Sequence, residues 1–267
     1  MQFGLLGAKL GHSISPQIHQ EVFHQLGITA GYELIEVPGE QLAAKVKELR
    51  KTYRGLNVTI PHKIAVMESL DVIAPEARAI GAVNTVFFNG RQAEGYNTDY
   101  FGFARLLEHA ELVPQGKDVC VLGTGGASRA ILQCVRDMQA KQITVISRAV
   151  EKAPEDIRAQ YTVRTYEDLR GMDGDLLINC TPVGMFPATD ASPVDHAVME
   201  RFSAAVDIIY NPAETRFMQL ARQQGKPAVN GLFMLVAQAV AADEIWLDRK
   251  LDAELIADVT EKMRQLL

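Results

Sequence analysis

The chain has 267 residues, 48 % hydrophobic and 22 % charged, the composition of an ordinary globular protein. With 27 basic against 33 acidic residues it carries a formal net charge of −6. That balance, with no basic block, excludes a chain built to lie on nucleic acid. No apolar run approaches the ~18 residues that cross a bilayer. The first strand-like segment, Gln2 to Leu6, follows no charged leader, so no secretory signal is expected. Cys120, Cys134 and Cys180 are too few and too scattered for a disulfide framework or a zinc site. Cytoplasmic residence, no membrane partner and no metal are therefore expected.

In chain order, strands are predicted at Phe3–Leu6, Tyr32–Val37, Gly55–Val58, Ala82–Phe88 and Ala93–Gly95. Helical spacing fills Pro16–Leu26 and Glu40–Tyr53, where Leu42, Val46, Leu49 and Tyr53 recur on one face. From Lys117 the alternation is stricter. A strand at Asp118–Leu122 leads through a glycine loop into a helix ending near Met138. Further strands follow at Gln142–Ser147, Leu176–Asn179, Ala205–Ile209 and Pro227–Val229. Near-continuous apolar strands alternating with helices predict a parallel sheet with right-handed crossovers. The tail is helical to Leu247 and again from Asp252, and is expected to return to the first domain.

The loop Gly123-Thr124-Gly125-Gly126-Ala127-Ser128 lies between strand and helix, the setting of a dinucleotide fingerprint. There the helix N–H groups face a pyrophosphate. By itself such a loop also fits a plain strand-to-helix turn. The next strand ends in Ser147-Arg148, with Lys152 close behind, where an NAD site would place an acid. A guanidinium suits a 2′-phosphate, which predicts NADP, although solvated surface charges would read the same way.

Three polar segments stand out in the first part of the chain. In Ser13-Ile14-Ser15-Pro16, hydroxyls open a helix, either to hold a carboxylate or simply as its N-cap. In Asn57-Val58-Thr59-Ile60-Pro61-His62-Lys63, strand geometry puts Asn57 and Thr59 on one face. Pro61 is expected to start a helix, with Lys63 in its first turn, where the dipole disfavours a cation and readies it to exchange a proton. In Asn84-Thr85 and Gly95-Tyr96-Asn97-Thr98-Asp99, Asp99 is either an N-cap or the partner of Lys63. His12, His19, His24 and His62 are read as surface or capping residues. Met234 and Trp246 are read as core.

Together these segments resemble the shikimate dehydrogenase family. The matching stretches are HSISP at 12–16, NVTIPHK at 57–63, GAVNT at 81–85, GYNTD at 95–99, GTGGASRA at 123–130, NCTPVGM at 179–185, DIIYNPAET at 207–215 and GLFMLVAQA at 231–239. They cover nearly the whole chain in one order.

The resemblance implies reversible, NADPH-linked reduction of 3-dehydroshikimate to shikimate, in the route to chorismate and the aromatic amino acids. It implies a two-domain α/β fold with the active site in the cleft between the domains. Residues 1–99 and 232–267 would form the substrate domain, and 100–231 a Rossmann-like NADP domain. Lys63 would be the acid–base residue, paired with Asp99. Ser13 and Ser15, with Tyr210 assisting, would hold the substrate carboxylate. Asn57, Thr59, Asn84, Asp99 and Gln238 would meet ring hydroxyls. Gly123, Thr124, Gly125, Gly126 and Ala127 would hold the pyrophosphate, and Ser147, Arg148 and Lys152 the adenosine phosphate. Ile208 or Ile209 and Gly231 would lie near the nicotinamide. The partner is a small molecule, and the chain would act as a monomer or homodimer.

Two stretches depart from the family pattern. Ser147-Arg148-Ala149 replaces Asn-Arg-Thr, removing hydrogen-bonding side chains from the cofactor strand. Phe233 replaces a glycine and would reshape the nicotinamide pocket. The alternative function is a quinate or dual quinate/shikimate dehydrogenase using NAD or NADP.

Overall fold

A computed structural model of the chain describes residues 1–11 and 13–267. It divides into two units, Met1–Gly102 with Leu235–Leu266, and Phe103–Met234.

The first unit runs β1 (Gln2–Gly7), α1 (Ser15–Gln25), β2 (Gly31–Glu36), α2 (Leu42–Leu49), β3 (Gly55–Val58), β4 (Val72–Ile73), α3 (Pro75–Ile80), β5 (Thr85–Phe88), β6 (Ala93–Tyr96) and the first turn of α4 (Thr98–His109), whose remainder belongs to the second unit. Its sheet has the order β2-β1-β3-β5-β6-β4. β1 pairs in parallel with β2 and β3, while β5 is antiparallel to both β3 and β6, so the sheet is mixed.

The second unit continues with β7 (Asp118–Leu122), α5 (Gly126–Asp137), β8 (Gln142–Ile146), α6 (Glu155–Gln160), β9 (Thr162–Arg164), α7 (Tyr166–Leu169), β10 (Gly174–Asn179), α8 (His196–Glu200), β11 (Phe202–Asp207), α9 (Arg216–Arg222) and β12 (Ala228–Val229). Its sheet, β12-β11-β10-β7-β8-β9, is parallel throughout. Val119 to Leu122 and Leu176 to Ile178 are buried, as strands covered on both faces require.

Two helices end the chain, α10 (Leu232–Leu247) and α11 (Ala253–Arg264). The C-terminal part of α10 completes the core of the first unit. Trp246 is fully buried, stacks on Phe3 with ring centroids 4.7 Å apart, and donates its indole N–H to the Val86 carbonyl at 2.9 Å. Gly55 lies against the indole, so a Cβ there would collide with it.

Several predicted elements differ. No helix starts at Pro61. Residues 61–64 form a turn, followed by a short 3-10 helix at Ala65–Ser69. The cause is long-range bonding: Val83 N–H donates to the Lys63 carbonyl at 2.8 Å, and His62 Nε2 bonds the Val37 carbonyl at 2.8 Å. The dipole argument for Lys63 therefore falls away. The strand expected over Ala82–Phe88 begins only at Thr85, because Gly81 closes α3 in the left-handed conformation (φ +71°) and the chain turns after it. The helix expected over Glu40–Tyr53 is a 3-10 turn at Gly39–Gln41 followed by α2. The short strands β4 and β9 were not anticipated.

Candidate functional site

The polar segments of the first unit converge on one bonded cluster. Lys63 Nζ donates to Asp99 Oδ2 at 2.6 Å, with the two side chains only 18 % and 15 % exposed. Asp99 lies inside the first turn of α4 and does not cap it. Asn97 accepts the Tyr100 N–H at 3.4 Å, which leaves the Asp99 carboxylate for the lysine.

One residue earlier, Thr98 donates its backbone N–H to Asn84 Oδ1 at 2.7 Å. A backbone N–H can only donate, so the bond fixes the Asn84 amide with its oxygen inward. The Thr98 hydroxyl reaches Gln238 Oε1 at 3.4 Å, and Gln238 Nε2 donates to the Leu235 carbonyl at 2.9 Å. Lys63, Asp99, Asn84 and Gln238 are thus brought together through Thr98. Thr59 follows β3 directly and is half-buried.

Neither Ser13 nor Ser15 acts as an N-cap by side chain. The cap of α1 is Ile14, with no side-chain bond. The Ser13 hydroxyl donates to Ser15 Oγ at 3.1 Å. Ser13 Oγ also accepts the backbone N–H of Ser15, the first residue of α1, at 3.3 Å, while Pro16 has no N–H to offer.

Asn57 departs from its expected role. It is 5 % exposed, and its amide is committed on both sides. Nδ2 donates to Thr85 Oγ1 at 3.2 Å, while Oδ1 lies 2.7 Å from the Tyr32 hydroxyl and 3.0 Å from His19 Nε2. His19 is itself fully buried, with Nδ1 2.9 Å from Asp243 Oδ1, and His62 is also buried. The surface reading of these two histidines is corrected accordingly. His24 is exposed, and His12 lies outside the described residues. Among the described residues no group of three or more His, Cys, Asp or Glu is arranged to hold a metal ion.

In the sequence Tyr32 and Asp243 carry no assigned role, and His19 only a surface or capping one. Two signals were available: a histidine on the apolar stripe Ile18, His19, Val22, Phe23, and a charge inside the apolar run of α10.

In the second unit, β7 delivers the glycine loop to the start of α5. Gly123 has φ +97°, and a Cβ on it would press on Thr181 at 2.9 Å. Gly125 and Gly126 are exposed, with open space where side chains would stand. Gly125 is the N-cap of α5 and no side chain caps it, so the first amides of the helix remain available. A small cradle with uncapped donors fits a pyrophosphate. Thr124 and Ala127 flank it.

At the tip of β8, Arg148 and Lys152 are exposed. The Ser147 hydroxyl donates to the Ala149 carbonyl at 3.0 Å, so Ser147 is occupied locally and the cations are the groups that fit a terminal phosphate.

Downstream, buried Asp207 accepts from Asn179 Nδ2 at 3.0 Å, Ile209 N at 3.1 Å and Thr215 Oγ1 at 2.7 Å. Burial pushes its carboxyl up to about 6 despite those donors. The carboxylate ties β10, β11 and the start of α9 together, and so fixes the segment Ile208-Ile209-Tyr210. Gly231 N–H donates to the Ile209 carbonyl at 3.0 Å, and a Cβ on Gly231 would strike the Ile208 carbonyl. Ile208 and Gly231 are therefore neighbours. Tyr210 is half-buried, which raises its phenol above the usual range. The Phe233 ring stacks flat on His109, with centroids 4.1 Å apart and 5° between planes.

The family profile "Shikimate dehydrogenase substrate binding domain" matches residues 5–86. A shikimate dehydrogenase (NADP(+)) of Clostridium beijerinckii is 42 % identical over 95 % of this chain and 94 % of its own. A solved chorismate mutase/shikimate 5-dehydrogenase fusion protein from Clostridium acetobutylicum superposes with a TM-score of 0.96 at 45 % identity, covering 99 % of this chain and 97 % of that one. The Thermus thermophilus shikimate 5-dehydrogenase, solved in complex with NADP(H) and shikimate, gives 0.89 at 33 % identity over 98 % and 99 %. By sequence and by fold, this chain belongs to the shikimate dehydrogenase family.

Proposed function

We propose that the chain is an NADP(H)-dependent oxidoreductase that interconverts 3-dehydroshikimate and shikimate. The observation that carries this is the partly buried Lys63–Asp99 pair at 2.6 Å, bonded through its neighbour Thr98 to Asn84 and Gln238. An ammonium held by a carboxylate, beside neutral amides, suits a polyol ketone.

On reduction, negative charge grows on the carbonyl oxygen. Lys63 Nζ stabilises that charge and delivers the proton, and in the reverse direction it takes the hydroxyl proton. Asp99 holds the ammonium in place and accepts from a ring hydroxyl. Asn84 offers its Nδ2 hydrogens, because its oxygen is already occupied. Thr59 and Gln238 bind further hydroxyls, and Ser13 and Ser15 hold the remote carboxylate with Tyr210 assisting. Fixing these groups orients the ring for transfer.

Bound NADPH supplies the hydride. Gly123 to Ala127 and the first amides of α5 would hold its pyrophosphate, Arg148 and Lys152 its 2′-phosphate end, and Ile208 and Gly231 would flank the nicotinamide. Residues 1–99 with 232–267 serve the substrate and 100–231 the cofactor. The net charge of −6 and the scattered free cysteines support a cytoplasmic enzyme acting on a small molecule, and the resemblance implies a monomer or homodimer. Among the described residues no helix is long and apolar enough to cross a membrane.

The test is product identification. Incubated with shikimate and NADP, the protein should yield 3-dehydroshikimate, two hydrogens lighter. Folded protein that binds shikimate and leaves it unchanged would overturn the proposal.

A further inference from the structure

The mechanism above leaves one buried ionisable pair unused. His19 on α1 and Asp243 on α10 are both fully buried in the first unit, bonded at 2.9 Å. His19 also lies flat on Tyr32, ring centroids 4.2 Å apart.

Donor and acceptor roles can be followed along the chain of bonds from groups that have no choice. Asn57 Nδ2 faces the Asn84 backbone carbonyl at 3.5 Å as well as Thr85 Oγ1. A carbonyl only accepts, so nitrogen faces that side and Asn57 Oδ1 faces the other. Both groups that meet Oδ1, the Tyr32 hydroxyl and His19 Nε2, must then donate. His19 therefore carries its hydrogen on Nε2.

Its Nδ1 faces Asp243 Oδ1, and one proton sits between them. Asp243 Oδ2 is buried with no partner, a poor place for a full charge. Burial accordingly raises the Asp243 carboxyl above its usual range. The arrangement that leaves no buried charge, with Oδ2 alone unpartnered, is a neutral imidazole accepting at Nδ1 from a protonated Asp243.

The hub so fixed reaches two proposed substrate-binding elements. Tyr32, which donates to Asn57, has the Ser15 side chain beside its hydroxyl. Thr85, which receives from Asn57, contacts Asn84 Oδ1 at 3.0 Å and Thr98 Oγ1 at 2.9 Å. We propose that His19 and Asp243 are positioning residues for substrate recognition. They lock Asn57 in one amide orientation, and through Tyr32 and Thr85 this sets the hydroxyl of Ser15 and the amide of Asn84 toward shikimate. The proposal rests on the functional reading above. It replaces the expected ring contact of Asn57 with an internal one.

The test compares Asp243→Asn with Asp243→Leu, and adds Tyr32→Phe. An asparagine amide donates to Nδ1 as the protonated carboxyl does, so Asp243→Asn should keep all steady-state constants within about twofold. Asp243→Leu removes that donor, lets the imidazole take the other tautomer and sets two acceptors face to face. Its shikimate KM should rise about tenfold or more, while kcat and the NADP KM stay within about twofold. Tyr32→Phe, nearly isosteric, should raise the same KM and no other. A merely structural role would instead lower the active fraction, and hence kcat, at unchanged KM, which would overturn the proposal.

Nitrogen-15 spectra of the ligand-free protein separate this failure from that of the functional reading. The His19 signals should show hydrogen on Nε2 in wild type and Asp243→Asn, whether or not shikimate is turned over. Hydrogen on Nδ1 alone would refute the network. Wild-type inactivity with the expected spectrum would overturn the functional reading, and the positioning role with it.

Discussion

Replacing Lys63 by methionine, and separately Asp99 by asparagine, divides the work of the pair. At 2.6 Å, and with less than a fifth of either side chain exposed, the two charges attract by about 6 kcal/mol at an effective dielectric near 20, and by about 1.6 kcal/mol in water. Desolvation offsets much of the larger figure, leaving a few kcal/mol at most. Asp99→Asn keeps an oxygen acceptor and loses the charge, so kcat/KM should fall about 10- to 100-fold. Lys63→Met removes the proton donor and the cation facing the growing oxyanion. General acid–base catalysis contributes about 10²- to 10⁴-fold, and the charge lost adds to it, so the loss in kcat should exceed that of Asp99→Asn by at least about tenfold. Initial rates of NADP reduction at saturating shikimate, with circular dichroism to confirm folding, give both numbers. A folded Lys63→Met variant within about threefold of wild-type kcat would refute the assignment. So would an Asp99→Asn loss larger than that of Lys63→Met.

Three further outcomes follow from the geometry. Arg148→Asp should cut the NADP-over-NAD preference in kcat/KM by at least about tenfold, since it sets a carboxylate against the 2′-phosphate. An unchanged ratio would make Arg148 a surface charge. The Asp207 carboxyl binds its proton more tightly folded (about 6) than at its ordinary 3.8. Its contribution to stability is therefore whole below pH 3.8 and lost as pH rises through about 6, a swing of about 3 kcal/mol. Urea unfolding of wild type and Asp207→Asn from pH 4 to 7 should show their stability difference shift by about 2 kcal/mol of that swing, in that direction; a constant difference would contradict it. Gly55→Ala drives a methyl into the buried indole of Trp246 and should cost about 1–3 kcal/mol, read from Trp246 fluorescence during urea unfolding, whereas a silent substitution would mean the indole moves freely.

The parallel unit was legible because each strand is covered on both faces and reads as a near-continuous apolar run, as in Val119 to Leu122. Edge strands such as β4 and β9 have two or three residues and little buried side chain, so they left no pattern. Lys63 was placed on a helix because Pro61 is a good first helical residue. The bond from Val83, twenty residues on, overrode that local preference. Lys63 and Asp99 were found through their motifs, but nothing local in either segment shows that they meet. Asn57 misled for the same reason. Its strand position is right, yet its partners, His19 and Tyr32, come from an earlier helix and strand, and the residue that orients His19 stands 224 positions away at Asp243. The sequence marked Asp243 only as a charge interrupting an apolar helix.

The central claim is tested most directly by following the reduced-nicotinamide absorbance with purified protein in four pairings, shikimate or quinate with NADP or NAD. Turnover should be led by shikimate with NADP, with quinate and NAD each trailing by at least about tenfold in kcat/KM. Turnover led by quinate with NAD, or none in any pairing from folded protein, would contradict it.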